Sequence, residues 1–242
     1  MEQHQFALYV KDLPSTFKNN LYDIFDQELA HRMQHILRLK VEDTCVLFSQ
    51  TIIVRCSIHA LSKKSLSVKI LSTESPHTIN PAICVLLPFL KRVALEEALY
   101  TCTELGTQNI QLIYTAKTPH TKITQKELER YERIIIAAAE QSKHYAFPAI
   151  HAPLLLEEAL LKWKTADTSF LFADPQGQSF TAVLKGNAQS RNLVLLIGPE
   201  GDLTISEKEF IKTQGASFVH LTPTILRAQQ ALTVFLGIIR SL

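Results

Sequence analysis

The chain has 242 residues, 46% of them hydrophobic and 20% charged, with a formal net charge of +2. That length can hold one large or two smaller packed cores, and the composition excludes a disordered or fibrous chain. No apolar run approaches the ~20 residues of a membrane-crossing helix, the first residues lack the basic-then-apolar order of a secretory leader, and so small a net charge leaves any polyanionic partner to a local basic patch.

Cytoplasmic residence without membrane association is therefore the expectation. The four cysteines, Cys45, Cys56, Cys84 and Cys102, are widely spaced and match no metal-binding pattern, so reduced core residues and no metal site are expected.

In chain order, the first part reads as a small β-rich unit with one helix. Gln27 to Leu39 places Leu29, Met33, Ile36 and Leu37 at helical spacing and leaves Arg32, His35 and Arg38 largely on other faces, with Lys40 just beyond. Thr44–Phe48, Ile52–Ala60 and Ser65–Leu71 are rich in β-branched and apolar residues, as strands are. Ser72 to Pro81 is polar, holds two prolines and lacks periodicity, which predicts a linker and divides the chain into domains 1–74 and 75–242.

Strands and helices then alternate, the pattern of a parallel sheet covered on both faces. Ile83–Leu87, Asn109–Tyr114, Ser169–Phe172, Leu193–Ile197 and Phe218–Leu221 are predicted strands, and Asp174–Gly177 a turn. Predicted helices span Arg92–Leu105, Thr124 to about Gln141, Leu154–Trp163, Thr204 to Gly215 and Ile225–Arg240. Thr124 with Glu127 and Thr204 with Glu207 form capping boxes, and Gly106 is a C-terminal cap.

The stretch from Leu193 to Ala231 concentrates the candidate chemistry. Two apolar runs end in Gly198-Pro199-Glu200-Gly201 and in Thr222-Pro223-Thr224, at the strand ends where open parallel sheets bind ligands. Neither loop has the spacing of a phosphate cradle. Taken alone, the first loop serves equally as a plain strand-to-helix connection.

Motif order narrows this choice. His31 to Lys40, Glu104-Leu105-Gly106, Arg133 with Ala138-Ala139-Glu140-Gln141-Ser142, Ile197 to Gly201, and Ile225-Leu226-Arg227-Ala228 occur in the order found in one family. The chain resembles the RsmE-type RNA methyltransferases, which methylate uracil N3 of a uridine in 16S ribosomal RNA and belong to the SPOUT superfamily. The resemblance implies an α/β fold: a C-terminal SPOUT domain with a deep trefoil knot and a mostly parallel sheet, behind an N-terminal PUA-like β-barrel. It also implies S-adenosylmethionine as cofactor, a homodimer, and 16S rRNA in the small ribosomal subunit as partner.

Residue by residue, the resemblance assigns the cofactor to Leu196, Ile197, Gly198, Pro199, Glu200, Gly201, Leu221, Ile225, Leu226 and Arg227. Removing the N3 proton of uracil leaves anionic charge, which suits Arg227 as stabiliser and Glu200 as orienting or proton-accepting group. His31, Arg32, His35, Arg38 and Lys40 form the basic patch expected to contact RNA phosphates. Asp202 and Thr222 stand where the family favours glycine, Thr224 where it favours arginine, and Gln229-Gln230 where it favours Glu-Thr. Methylation of ribose 2′-OH, or RNA binding without catalysis, are the alternative expectations.

Overall fold

The computed structural model describes residues 5–62, 65–118, 123–186 and 192–241. Chain contacts group these into two units, one running to His77 and including Glu140–Ala146, the other formed by Thr78–Ala139 and Phe147–Leu242.

The first unit contains β1 (Phe6–Tyr9), β2 (Leu21–Ile24), α1 (Gln27–His31), β3 (Thr44–Phe48), β4 (Ile53–Leu61) and β5 (Leu66–Glu74). Its sheet has the order β1-β3-β4-β5-β2, with β1 parallel to β3 and the remaining pairs antiparallel. Period-2 alternation turns Cys45, Leu47, Val54, Cys56, Ile58, Leu66 and Val68 into one core with Leu29 and Met33. β1 and β2, of four residues each, are not among the predicted strands.

The helix predicted from Gln27 to Leu39 is shorter than expected. Asp26 caps its start, accepting N–H bonds from Glu28 and Leu29 at 2.9 and 3.1 Å, but Arg32–Ile36 forms a π-helical turn closed by Leu37 N–H on the Arg32 carbonyl at 2.9 Å. One extra residue in a turn rotates the next side chains by roughly 100°. Ile36, expected on the apolar stripe, is accordingly 67% exposed.

The second unit contains β6 (Ala82–Pro88), α2 (Arg92–Glu104), β7 (Asn109–Tyr114), α3 (Gln125–Ser142, its end grouped with the first unit), β8 (Ala149–Leu155) and α4 (Leu156–Trp163). It continues with β9 (Thr168–Ser179), α5 (Phe180–Gly186), β10 (Asn192–Leu196), α6 (Ile205–Thr213), β11 (Ser217–His220) and α7 (Ala228–Arg240). The sheet order is β11-β9-β10-β6-β7-β8 and every pair is parallel. The mostly parallel α/β architecture expected from the alternating pattern is therefore present.

Two helical layers explain why the central strands are apolar throughout. Ile83, Val85 and Leu87 pack with Leu193 and Leu195 against α2, α3 and α7, whereas Cys84 and Leu86 pack with Val194 and Leu196 against α4 and α6. All four cysteines are buried and unbridged. Burial pushes the Cys102 thiol up to about 12 and raises that of Cys84, so both remain protonated thiols in the core. Both predicted capping boxes form, with Glu127 N–H donating to Thr124 Oγ1 and Glu207 N–H to Thr204 Oγ1, each at 3.3 Å.

The turn predicted at Asp174–Gly177 lies inside β9. Pairing with β11 jumps from Phe172↔Phe218 to Gln178↔Val219, so the intervening residues bulge without ending the strand. A Cβ at Gly177 would overlap the backbone of Phe218 and Val219, which makes glycine a condition of this close approach.

Gly177→Ala should therefore cost about 1–3 kcal/mol in a urea unfolding curve. Gly237→Ala, inside α7 with no heavy atom near its added methyl, should be neutral or stabilising by about 0.5–1 kcal/mol. Equal midpoints for the two variants would refute the bulge constraint.

Candidate functional site

β6, β10, β9 and β11 all end at the same edge of the sheet, since Leu86, Leu196 and Phe172 stand side by side in register. Beyond Leu86 the chain leaves through α2 towards β7, and beyond Leu196 through α6 towards β11 on the opposite side. Neighbouring strands whose exits diverge leave a crevice between them. A cavity of about 990 Å³ opens there, walled by the loops after β6, β10 and β11, by the bulge of β9 and by the first turns of α2.

Ile197, Gly198, Pro199, Glu200, Leu221, Ile225, Leu226 and Arg227 line this cavity. Leu196 does not: it is 2% exposed and packs in the core with Phe172 and Leu203. Gly201 faces an adjoining cleft of about 620 Å³, where its carbonyl accepts a bond from Lys117 Nζ at 2.7 Å. Glu200 borders both spaces, and its Oε1 accepts the N–H of Lys91, the N-cap residue of α2, at 2.9 Å.

The last helix begins at Ala228, not at Ile225 as the periodicity predicts. Residues 222–227 are thereby released into the loop that lines the cavity, with Ile225 84% exposed and Arg227 extended at the N-cap of α7. Thr222 Oγ1 donates to the Thr224 carbonyl at 2.7 Å and closes this loop on itself. His220, at the end of β11, is tied through Nδ1 to the Gly177 carbonyl at 2.9 Å.

In the other loop the left-handed conformation falls on Asp202, with φ of +55°, while Gly198 and Gly201 take negative or extended φ. Aspartate tolerates that region better than most residues because its short side chain bonds locally. Here Asp202 Oδ1 accepts the N–H of Leu203 at 2.7 Å, and Oδ2 meets Lys208 Nζ at 2.8 Å. Lys208 also reaches Asp174 Oδ2 at 2.9 Å, so one ammonium of α6 ties the β9 bulge to the loop after β10. Asp174 and Asp202 both line the cavity. Lys208 and Asp174 carried no sequence signal, since a lysine inside a helix and an aspartate before proline read as solvated residues.

Burial alone would lower the Lys208 pKa, but its bonds to Asp202 and Asp174 outweigh it and raise the value above the ordinary 10.5. A raised lysine pKa contributes stability that is complete below the unfolded value and is lost as pH climbs through the folded one.

In the first unit, His31, His35, Arg38 and Lys40 are exposed, with the two imidazole rings 4.9 Å apart. Arg32 differs from its neighbours. Its Nη1 donates to Glu140 Oε1 at 3.0 Å while Nη2 bonds Oε2, and Oε1 also accepts the Tyr9 N–H at 3.0 Å. This bidentate pair, more than a solvated helix face, accounts for the placement of Arg32.

A family model described as an RNA methyltransferase domain matches residues 78–240. The ribosomal RNA small subunit methyltransferase E of Synechocystis sp. is 33% identical over 218 residues, which cover 88% of this chain and 70% of that protein. The protein of the same name from Rickettsia conorii is 26% identical over 231 residues, covering 93% and 91%. Among solved structures, the Neisseria gonorrhoeae ribosomal RNA small subunit methyltransferase E bound to S-adenosyl methionine superposes with a TM-score of 0.84, at 21% identity and 98% coverage of both chains.

Lys208→Met strands the carboxylate of Asp174, whose side chain is 5% exposed, and should cost about 2–4 kcal/mol by urea unfolding at pH 7. Adding Asp174→Asn should restore much of that, because the stranded charge disappears. The single variant should also lack part of the wild-type loss of stability above the ordinary lysine value of 10.5. No recovery in the double variant would mean that the brace does not act through charge pairing.

Proposed function

Because the chain belongs to the RNA methyltransferase family, as a member of the ribosomal RNA small subunit methyltransferase E group, we propose that it uses S-adenosylmethionine to methylate uracil N3 of a uridine in 16S rRNA. The observation that carries this reading is the cavity at the diverging ends of β6 and β10, where the loops matched to the family meet.

The residues present fit that cofactor. Backbone from Ile197 to Glu200 and from Leu221 to Arg227 offers N–H and C=O groups for an adenine edge, and Leu221, Ile225 and Leu226 offer apolar contact for its faces. Glu97, also on the walls, suits its cationic groups. When bound, S-adenosylmethionine supplies an electrophilic methyl group.

The protein must then hold uracil with N3 unprotonated. Arg227 stays charged at any working pH and can donate to a uracil oxygen as negative charge develops on the ring. Glu200 stands on the wall with one carboxylate oxygen fastened to the start of α2, which orients the group as acceptor for the N3 proton. In the same reading the first unit is a PUA-like RNA-binding barrel carrying His31, His35, Arg38 and Lys40, and the second is a SPOUT domain with a trefoil knot. α7 packs on α2, and Arg240 near its end donates to the carbonyls of Leu105, Gly106 and Pro81, joining the C-terminal helix to the first elements of that unit.

A second copy would cover Val93 and Ile225, cavity-lining residues that are 67% and 84% exposed, to make the homodimer. The substrate is the small ribosomal subunit, and the site of action the cytoplasm.

Nucleoside mass spectrometry of small-subunit rRNA, with and without the protein, should show one 3-methyluridine appear. A 2′-O-methyl product would redirect the reading to ribose, and no methylation together with no calorimetric binding of S-adenosylhomocysteine would overturn it. Arg227→Ala should lower the methylation rate by roughly 10²-fold while S-adenosylhomocysteine affinity stays within about threefold. For the first unit, Arg38→Ala with Lys40→Ala should flatten the salt dependence of rRNA binding by about one to two in log–log slope. Arg32→Ala should instead lower stability, because it strands Glu140.

A further inference from the structure

A second cleft, of about 620 Å³, adjoins the cavity assigned to the cofactor. Both spaces have Lys91, Pro199 and Glu200 as common lining. Lys126, Arg130 and Arg133 stand on the cleft at positions i, i+4 and i+7 of α3, which is one face of a helix. Lys91 and Arg92 at the start of α2 and Lys117 after β7 complete the basic lining.

Six basic side chains thus meet three carboxylates, and each carboxylate is already engaged in fastening the protein. Glu96 is held by Arg92 at 3.1 Å and by both arms of Arg130 at 2.6 and 2.9 Å. Glu127 accepts the N–H and hydroxyl of Thr124 at 2.8 and 2.7 Å, and Glu200 accepts the Lys91 N–H. Lys126 and Arg133 lie exposed at the rim. Phe89, stacked on Tyr114 at 5.0 Å between ring centroids, adds an aromatic surface to the lining.

Uracil N3 lies on the base-pairing edge, so a uridine reacting there has to be unpaired. Enzymes acting on a base receive it from a single strand or extrude it from a duplex. Sites for unpaired strands combine cations that track the backbone with aromatic faces on which bases rest. The adjoining cleft has both features and shares a wall with the cavity.

We propose that this cleft is the acceptor site, holding an unpaired uridine-containing stretch of RNA with its phosphodiesters on the Lys126–Arg133 face of α3 and its bases along Phe89 towards Glu200. This assignment rests on the reading of the protein as an RNA methyltransferase, but its main test is RNA binding, which does not depend on that reading.

The test compares Lys126→Glu with Arg133→Glu against a control of equal charge change, Lys164→Glu with Lys212→Glu. The control lysines are exposed at the end of α4 and on α6, and neither lines the cleft. The probe is a single-stranded RNA oligonucleotide containing uridines, titrated from ~50 to ~200 mM salt. The cleft variant should lose at least about tenfold in affinity, with a log–log salt slope smaller by about one to two. S-adenosylhomocysteine binding and the urea midpoint should stay at wild-type values, and the control should bind RNA within about twofold of wild type. Lys126→Gln with Arg133→Gln should give an intermediate loss and serves in place of the glutamates should these disturb folding.

Equal RNA affinity in the cleft and control variants overturns the proposal, as does a wild-type protein that fails to bind the oligonucleotide at ~50 mM salt. Methylation of rRNA with unchanged KM in the cleft variant would also remove the acceptor site while leaving the enzymatic reading intact. Selective loss of RNA binding in a protein that methylates no RNA would support the cleft and count against the reaction.

Discussion

The pairing of β10 with β6, in parallel register from Asn192↔Ala82 to Leu196↔Leu86, is the constraint on which the site depends. Side by side in the sheet, these strands send their chains away through α2 and α6 to opposite sides, and no single loop bridges them. Burial holds this arrangement. Leu193, Leu195, Ile83 and Val85 lie in one apolar layer and Val194, Leu196, Cys84 and Leu86 in the other, and full burial of a large aliphatic side chain stabilises by about 1.5–3 kcal/mol. Loops rooted in such strands can carry local strain, as at Asp202 with its φ of +55°.

Around that crevice, acidic side chains fasten and basic ones are presented. Glu200 secures the start of α2, and Asp174 and Asp202 share Lys208. Glu207 closes the capping box of α6 while its Oε1 accepts the Ala116 N–H at 2.7 Å. Glu96 gathers two arginines. Arg227, Lys126 and Arg133 are exposed. A chain with a net charge of only +2 can present a cationic surface to a polyanion once its carboxylates are engaged in this way.

The departures from the family pattern acquire a physical meaning in the same frame. Asp202, at a position where glycine is favoured, does adopt the left-handed conformation, but it is bonded to Leu203 N–H and to Lys208. Thr222 closes its loop through the Thr224 carbonyl. Side-chain bonds thus support both loops.

Local order was legible in the sequence wherever one residue pattern has one physical solution. The apolar runs at Ile83–Leu87 and Leu193–Ile197 admit little but buried strands, and Thr124 with Glu127 and Thr204 with Glu207 satisfy helix starts by themselves. The order of the loop motifs pointed to the family, and eight of the ten residues assigned to the cofactor do line one cavity. What depended on distant partners was not legible. The π-helical turn exposed Ile36, the bulge at Gly177 exists because β11 lies against it, and Arg32 left the basic patch because Glu140 stands 108 residues away in the chain. The sequence by itself determined the central strands of the parallel sheet and the capped helix starts at Thr124 and Thr204, because backbone periodicity and capping are satisfied within a few residues. Only the tertiary structure decided that Gly201 faces a second cleft, that Lys208 joins two aspartates and that α3 aligns its cations beside Glu200, because each of these is a contact between residues whose separation in the chain carries no pattern.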